Sequence, residues 1–297
     1  MLNNENMKKH ILNYHFWILG VIGMLLSSCS TAQRVVAEEG SRKIYNYKYG
    51  ADKRNVMDVF LPQNHSADSP LVMIVHGGAW KFGRKEHMKM IQKRLFKENI
   101  PTVNINYRLV SSKKGITYQQ QLEDIESAVK ETKKHSQEWK FNPDNLILLG
   151  ESAGGHLALL YGYNNPDKVS KLISMSGPTD FYSERFTSTF NSKYTSPTIQ
   201  DVVGTRFKRG NIAEEFRKAS PLWQVSHVPT LIFQGDLDHL VNKNQGLSLA
   251  SKLEEKEIPH KLVYMKNAGH MPRLFSKKKR DSLIFPNIIE FIREDFK

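Results

Sequence analysis

The chain has 297 residues, of which 39% are hydrophobic and 10% aromatic, a composition that is ordinary for a globular core and does not favour a disordered chain. Its formal net charge of +13 is compatible with nucleic acid, an acidic membrane surface or an acidic substrate, and its single cysteine excludes an intramolecular disulfide. The basic residues are scattered except at residues 277–280, where no nucleic-acid-reading motif surrounds them, so we predict no nucleic-acid partner.

The N-terminus predicts an export signal. Two lysines precede an apolar run at residues 16–26, which is too short to span a bilayer core of about 30 Å but is typical of a signal peptide. The run ends in Leu-Ser-Ser-Cys at residues 26–29, which resembles the lipobox of bacterial lipoproteins, where the cysteine is lipidated. We therefore predict a signal peptide over residues 1–28 and an exported protein anchored by a lipid on Cys29 to the bacterial cell envelope, at the outer membrane or cell surface. A buried free thiol is the alternative for Cys29.

The folded domain is expected over residues 44–297. Residues 29–43 are mostly polar and small, so we predict a flexible tether there. Residues 44–49 and 55–61 alternate between apolar and polar side chains, which predicts an antiparallel hairpin at the edge of a sheet. Residues 71–75 are aliphatic throughout, as is typical of a strand buried on both faces.

Strands and helices then alternate to the end of the chain. Such alternation predicts a doubly wound, mostly parallel sheet with helices on both faces. The expected strands lie at residues 102–106, 147–149, 171–175, 230–233 and 261–264, and the expected helices at 85–97, 118–138, directly after Ser152, at 245–255 and from 283.

One long segment, residues 177–228, interrupts this alternation. It contains no long aliphatic strand and is rich in aromatic residues, serine and threonine. Insertions of this length usually contribute to function. We expect a small, mostly helical cap whose rings offer apolar surface to the substrate, with an ordinary crossover helix and long loops as the alternative.

Residues 147–156 predict a nucleophile. Their sequence, Ile-Leu-Leu-Gly-Glu-Ser-Ala-Gly-Gly-His, places a Gly-x-Ser-x-Gly turn between a strand and a helix. Such a turn presents Ser152 on a strained backbone, and Gly150 and Gly154 are needed because a Cβ at either position would collide with the neighbouring strand or helix. The alternative is a glycine-rich turn with an incidental serine.

A nucleophilic serine needs a base and a carboxylate that orients the base. In a doubly wound sheet, residues that face a ligand follow the carboxyl ends of the strands. His270 follows the strand at 261–264 and is the predicted base. Asp236 and Asp238 both follow the strand at 230–233, and both remain candidates for the acid.

Backbone N–H groups for an oxyanion hole are expected from two turns. The sequence His-Gly-Gly-Ala-Trp at residues 76–80 directly follows a buried strand, and Ala153 begins the helix after the nucleophile. His76 and His156 flank glycine turns and are expected to brace them by hydrogen bonds. His239 is expected to face solvent.

These motifs together resemble the α/β-hydrolase carboxylesterases related to hormone-sensitive lipase, a group that includes acetyl-xylan esterases, feruloyl esterases and kynurenine formamidases. The resemblance covers about residues 45–295. It implies the α/β-hydrolase fold, Asp238 as the acid, and Gly78, Ala79 and Ala153 as oxyanion donors. Ala79 departs from the third glycine common in lipase-like members, which favours small acyl groups. The matching sequences are His76-Gly77-Gly78-Ala79-Trp80, Asn106-Tyr107-Arg108-Leu109, residues 150–156, Gly235-Asp236-Leu237-Asp238 and Gly269-His270.

The sequence therefore predicts a serine hydrolase that cleaves carboxylic esters of small acyl groups, including carbohydrate-linked acetyl esters, through an acyl-enzyme on Ser152. No cofactor or metal is implied. Hydrolysis of amides such as N-formyl amides is an alternative for the same machinery. A non-catalytic lipoprotein of hydrolase fold that binds a partner is the alternative from another class of function.

Overall fold

The computed structural model describes residues 32–183, 195–208 and 210–296. The compact unit spans Gln33–Lys297. The predicted signal peptide, the lipidated cysteine Cys29 and part of the predicted cap, residues 184–194, lie outside the described residues. Within the described residues, no helix has both the length and the apolar character needed to cross a membrane.

The domain is built on one sheet, which has nine strands within the described residues. The strand order is β1-β2-β3-β5-β4-β6-β7-β8-β9. Pairing is antiparallel from β1 to β3 and between β3 and β5, and parallel across the rest of the sheet. The strands are β1 Arg34–Glu38, β2 Ser41–Lys48, β3 Val56–Leu61, β4 Leu71–Val75, β5 Thr102–Ile105, β6 Leu146–Glu151, β7 Lys171–Met175, β8 Thr230–Gly235 and β9 His260–Met265. The predicted mostly parallel sheet with an antiparallel N-terminal edge is confirmed.

Helices alternate with these strands as the sequence predicts. The α-helices are α1 Lys89–Lys97, α2 Tyr118–Lys134, α3 Ser136–Trp139, α4 Ala153–Asn164, α5 Thr195–Val203, α6 Glu214–Lys218, α7 Asn244–Glu255, α8 Pro272–Phe275, α9 Lys277–Lys279 and α10 Phe285–Arg293. Short 3₁₀ turns cover Lys85–Met88, Ser112–Lys114, Pro166–Lys168 and Pro221–Trp223, and a π-helical turn at Arg280–Ile284 precedes α10.

The central strands are apolar throughout because both faces of the sheet are covered. Successive side chains of β6 point to opposite faces, so Leu146 and Leu148 enter one core and Ile147 and Leu149 the other. The first core also contains residues of α2, α4 and α7, and the second contains residues of α1 and α10. This layering is that of a doubly wound α/β domain.

The N-terminal edge differs from the expected tether. Residues 34–38, predicted to lie in a flexible segment, form β1 and pair with β2 from Arg34 opposite Tyr45 to Glu38 opposite Ser41. Both residues of the connecting turn, Glu39 and Gly40, have positive φ, the backbone of a tight two-residue hairpin. The side chains of β1 are mostly exposed on both faces, and its sequence shows no alternation of apolar and polar residues that would predict a strand. Backbone pairing with β2 holds it in place.

The strand order reverses beside β4, and this reversal positions the site. The chain passes from β4 to β5 on one side and then returns to β6 on the other side. Val75 at the end of β4 is paired with Gly150 near the end of β6. The loops that follow these two strands therefore lie next to each other at the carboxyl edge, where doubly wound sheets bind ligands.

Candidate active site

The turn after β6 holds Ser152 on a strained backbone. Its φ is 55° and its ψ is −124°, a conformation that residues with a side chain rarely adopt. A Cβ on Gly150 would lie 2.1 Å from the carbonyl oxygen of Gly154, and a Cβ on Gly154 would lie 2.2 Å from the carbonyl oxygen of Val75. Both glycines are therefore required by close packing, as the sequence predicts. Directly after the serine, α4 begins at Ala153 and is buried on nearly all sides.

The structure brings Ser152, His270 and Asp238 together from three separate turns. The distance from His270 Nε2 to Ser152 Oγ is 2.8 Å, and the distance from His270 Nδ1 to Asp238 Oδ2 is also 2.8 Å. The Asp238 side chain is fully buried and that of His270 is 11% exposed. The Asp238 carboxylate can only accept, so the imidazole proton lies on Nδ1, and Nε2 is left free to accept the proton that the Ser152 hydroxyl donates.

The two candidate aspartates have different places in the site. Asp238 uses Oδ1 to accept hydrogen bonds from the backbone N–H groups of Leu240 and Val241, at 3.0 and 2.9 Å, and so presents Oδ2 to His270. Asp236 instead accepts a hydrogen bond from the backbone N–H of Ala268, at 3.2 Å. Asp236 therefore braces the loop that leads to His270, and Asp238 contacts the imidazole itself.

Three backbone N–H groups lie at the turns expected to form an oxyanion hole. Gly78 and Ala79 belong to the loop after β4, and Ala153 is the first residue of α4. Within the described residues, none of these three N–H groups donates to a protein acceptor, although the carbonyls of Gly78 and Ala79 accept bonds from Phe82 and Lys81. Ala79 has a φ of 47°, so the loop carries strain close to the serine.

His76 braces the loop after β4 from below, as predicted. Its ring stacks on Tyr107 with centroids 4.2 Å apart, and the Tyr107 hydroxyl donates to the His76 carbonyl at 2.6 Å. His76 Nδ1 lies 2.7 Å from the carbonyl oxygen of Gly77, and Arg54 donates to the carbonyl oxygen of Gly83 at 2.9 Å. Burial lowers the pKa of His76 to about 3, so the ring is neutral near pH 7.

His156 connects the same loop to the segment after β7. Trp80 Nε1 donates to His156 Nδ1 at 3.1 Å, so His156 Nε2 carries the proton and donates to the carbonyl oxygen of Ala219 at 2.8 Å. Phe181 packs against both rings, with centroid distances of 5.9 Å to Trp80 and 5.0 Å to His156. Burial lowers the pKa of His156 to about 4. His239, as expected, is exposed.

The described part of residues 177–228 is helical where it is regular, with α5, α6 and the turn Pro221–Trp223. The expectation that its aromatic rings offer surface to a substrate is wrong for two of them. Phe181 and Phe216 are buried in the core, 0% and 1% exposed, because Phe181 packs against His156 of α4 and Phe216 packs against Phe207. Trp223, in contrast, is 43% exposed. Phe186, Phe190 and Tyr194 lie outside the described residues.

A buried ion pair beside the site was not anticipated from the sequence. Arg273 Nε and Nη2 each donate to a carboxylate oxygen of Glu151 at 2.6 Å. Glu151 directly precedes the nucleophile, but its partner follows 122 positions later and shares no local pattern with it. A charged residue within an apolar strand was the only available signal. Within the described residues, no three histidine, cysteine, aspartate or glutamate side chains are grouped so that they could hold a metal ion.

The chain is similar in sequence to several known hydrolases. The chain is 24% identical over 271 residues to the Arabidopsis thaliana protein named "Probable isoprenylcysteine alpha-carbonyl methylesterase ICMEL1", covering 83% of this chain and 55% of that protein. It is 27% identical over 121 residues to the kynurenine formamidase of Salmo salar, covering 40% of this chain and 38% of that protein. The chain thus spans about half the length of the first of these relatives and less of the second.

Solved structures support the fold. A truncated carbohydrate esterase from gut microbiota superposes with a TM-score of 0.72 at 19% identity, covering 87% of this chain and 98% of that one. The α/β-hydrolase fold predicted from the sequence is confirmed by this similarity. The BD-FAE family model matches residues 57–253, which is more than half of the chain. The chain therefore belongs to the BD-FAE family of esterase-type α/β hydrolases.

Proposed function

We propose that this protein is a serine esterase that hydrolyses carboxylic esters of small acyl groups. The observation that carries the proposal is the continuous chain of contacts from Ser152 Oγ to His270 to the buried Asp238, with 2.8 Å at each step. This arrangement matches the roles of nucleophile, base and orienting acid, which are recognised by geometry rather than by position in the sequence. A binding protein has no need to keep all three roles, which disfavours a non-catalytic lipoprotein.

The reaction would proceed through an acyl-enzyme. Ser152 Oγ attacks the ester carbonyl carbon while its proton moves to His270 Nε2, and Asp238 stabilises the imidazolium that forms. The N–H groups of Gly78, Ala79 and Ala153 would bind the oxyanion. The alcohol then leaves with the proton from His270, and water repeats the sequence to release the acid.

Three aromatic rings support a preference for short acyl groups. Trp80, directly after the proposed donor Ala79, packs with His156 and Phe181 in the space between the loop after β4 and helix α4. Side chains that fill this space leave less room for a long acyl chain on that side. Carbohydrate-linked acetyl esters are candidate substrates, and the carbohydrate esterase among the structural neighbours has the same fold.

Amide hydrolysis is a second candidate, favoured by the sequence similarity to kynurenine formamidase. The same nucleophile and base can cleave an N-formyl amide, because both reactions pass through a tetrahedral oxyanion. The lipid anchor on Cys29 and the export to the cell envelope also remain part of the proposed function, supported by the position of the lipobox-like sequence directly after the apolar run.

A panel of substrates tests these proposals, with a Ser152 variant and a covalent inhibitor as the two controls. Wild type and Ser152→Ala would be assayed against acetyl, propionyl, butyryl and octanoyl esters and against N-formyl amides. A serine-directed phosphonate would be added in parallel, with the labelled residue identified by peptide mass. We expect acetyl and propionyl esters to react fastest. Each further methylene of a longer acyl chain that finds no room in the pocket loses about 0.8 kcal/mol of hydrophobic stabilisation. A rate that rises through octanoyl esters would contradict the small-acyl preference, and faster cleavage of N-formyl amides would favour the second candidate.

A further inference from the structure

Glu151 and Arg273 form a bidentate ion pair that is almost completely buried. The side chains of Arg273 and Glu151 are 2% and 6% exposed, and both guanidinium–carboxylate contacts measure 2.6 Å. Arg273 Nη2 also donates to the carbonyl oxygen of His87 at 3.2 Å. Two parallel hydrogen bonds fix orientation as well as distance, so this pair holds two backbone segments in one relative position.

The two segments are the ones that carry the proposed nucleophile and base. Glu151 immediately precedes Ser152 at the end of β6, and Arg273 lies in α8, three residues after His270. Glu151, His270 and Arg273 also line the same small cavity. On the other side of His270, the loop is held by the bond from Ala268 N–H to Asp236.

We propose that the Glu151–Arg273 ion pair is a positioning device that sets the distance between His270 Nε2 and Ser152 Oγ. Neither side chain has to touch the substrate, because the pair acts through the two backbone segments that carry Ser152 and His270. The inference rests on the proposed esterase function. An ion pair is suited to this role because its net charge is zero, so it orders the site without placing an uncompensated charge beside the imidazole.

The charges around His270 make the role measurable. Asp238 contacts the imidazole, Asp236 braces the preceding loop, Glu151 and Arg273 line the shared cavity, and His87 faces Arg273 through its carbonyl. Removal of one member of the pair leaves a net charge close to His270. A remaining carboxylate would favour the imidazolium, and a remaining guanidinium would disfavour it.

The experiment compares Arg273→Met, Glu151→Gln and the double variant by pH profiles of kcat/KM, whose acid limb reports the base of the free enzyme. We expect Arg273→Met to raise the midpoint of the acid limb and Glu151→Gln to lower it, each by about 0.5 to 1 unit. The midpoint of the double variant should return towards that of wild type. Each single variant should lower kcat by about 10-fold or more with little change in KM, because the reacting groups are misplaced while substrate binding is retained.

Two further variants guard against a general loss of stability. Arg273→Lys keeps the charge but loses the bidentate geometry, so it should lower kcat while leaving the acid limb in place. Lys171→Met removes a buried cation at the start of β7, at the edge of the sheet opposite the site, and should leave both kcat and the acid limb unchanged. Acid limbs that stay in place or move in the same direction in both single variants, together with an unchanged kcat, would overturn the positioning role.

Labelling by the phosphonate distinguishes a failure of the proposed esterase function from a failure of the positioning role alone. If the phosphonate does not label Ser152 of wild type, the esterase proposal fails and the positioning role fails with it. If Ser152 is labelled and the variants behave like wild type, only the role of the ion pair is wrong.

Discussion

Ser152 and His270 are expected to act as one unit. Because the serine hydroxyl is a weak nucleophile without its base, loss of either side chain removes the same transition-state stabilisation. We expect Ser152→Ala and His270→Ala each to lower kcat by about 10⁴-fold or more, and the double variant to be little worse than either single variant. Steady-state kinetics with an acetyl ester measures this, with circular dichroism as the control for folding. Additive losses would contradict a joint role.

The two aspartates provide a matched pair of variants in one loop. Asp238→Asn would disturb the tautomer of His270, so we expect kcat to fall by about 10⁴-fold. Asp236→Asn keeps a side-chain oxygen that can still accept from the backbone N–H of Ala268, so we expect a loss of about 10-fold or less. The reverse ranking of the two kcat values would show that Asp236 is the acid.

Single elements are held to the sheet by contacts of unequal strength, and α10 shows the difference. Lys171 is buried on β7, and its Nζ donates to three backbone carbonyl oxygens, those of Phe291 at 3.1 Å, Ile292 at 2.9 Å and Glu294. Lys171 therefore caps the C-terminal end of α10. Lys261 on β9 reaches the same helix through Glu290 at 2.7 Å, but both side chains are largely exposed.

We expect Lys171→Met to lower the free energy of unfolding by about 2 to 3 kcal/mol, since it leaves buried carbonyls without their charged donor. Lys261→Met should change it by less than about 1 kcal/mol, because exposed ion pairs contribute little. Urea unfolding of the two variants measures both values. Equal effects would contradict a capping role for Lys171.

At the scale of the whole molecule, two buried histidines link stability to pH. Burial lowers the pKa of His76 to about 3 and that of His156 to about 4, both below the usual value of 6.5. The unfolded chain therefore takes up protons below pH 6.5 that the folded chain does not, so stability is fully present above pH 6.5 and is lost as pH falls.

We expect the free energy of unfolding to drop between pH 7.5 and pH 5 by about 2 kcal/mol for each of these histidines. Urea unfolding at several pH values in this window measures the drop. Residue 156 cannot titrate in His156→Gln, so the pH curve of this variant should be shallower than that of wild type. A stability that is flat down to pH 5 would contradict the linkage.

The proposed lipid anchor is on a residue outside the described part of the chain. If Cys29 carries the lipid, Cys29→Ser should move the protein from the membrane fraction to the soluble fraction at unchanged specific activity, because the anchor lies outside the catalytic domain. Fractionation followed by an esterase assay measures this. Membrane retention of the variant would indicate that residues 11–28 remain attached as an uncleaved anchor.

The sequence by itself determined the features that are encoded locally. Apolar runs predicted the central strands, and the Gly-x-Ser-x-Gly turn predicted the strained serine at the end of β6, because burial on both faces and close packing each leave a pattern within a few residues. Spacing alone did not separate Asp236 from Asp238, since both follow β8 within three residues. Resemblance to a family favoured Asp238, and the structure brings its carboxylate to His270.

Only the tertiary structure decided the features that depend on distant partners. The strand β1 has no buried face and forms because β2 offers it backbone hydrogen bonds. Phe181 resembles a substrate-facing ring in the sequence, yet it is buried because His156 and Trp80 lie beside it. Arg273 becomes part of the site only when folding brings it to Glu151, 122 positions away, and an ion pair of this kind leaves no periodic signal in either segment.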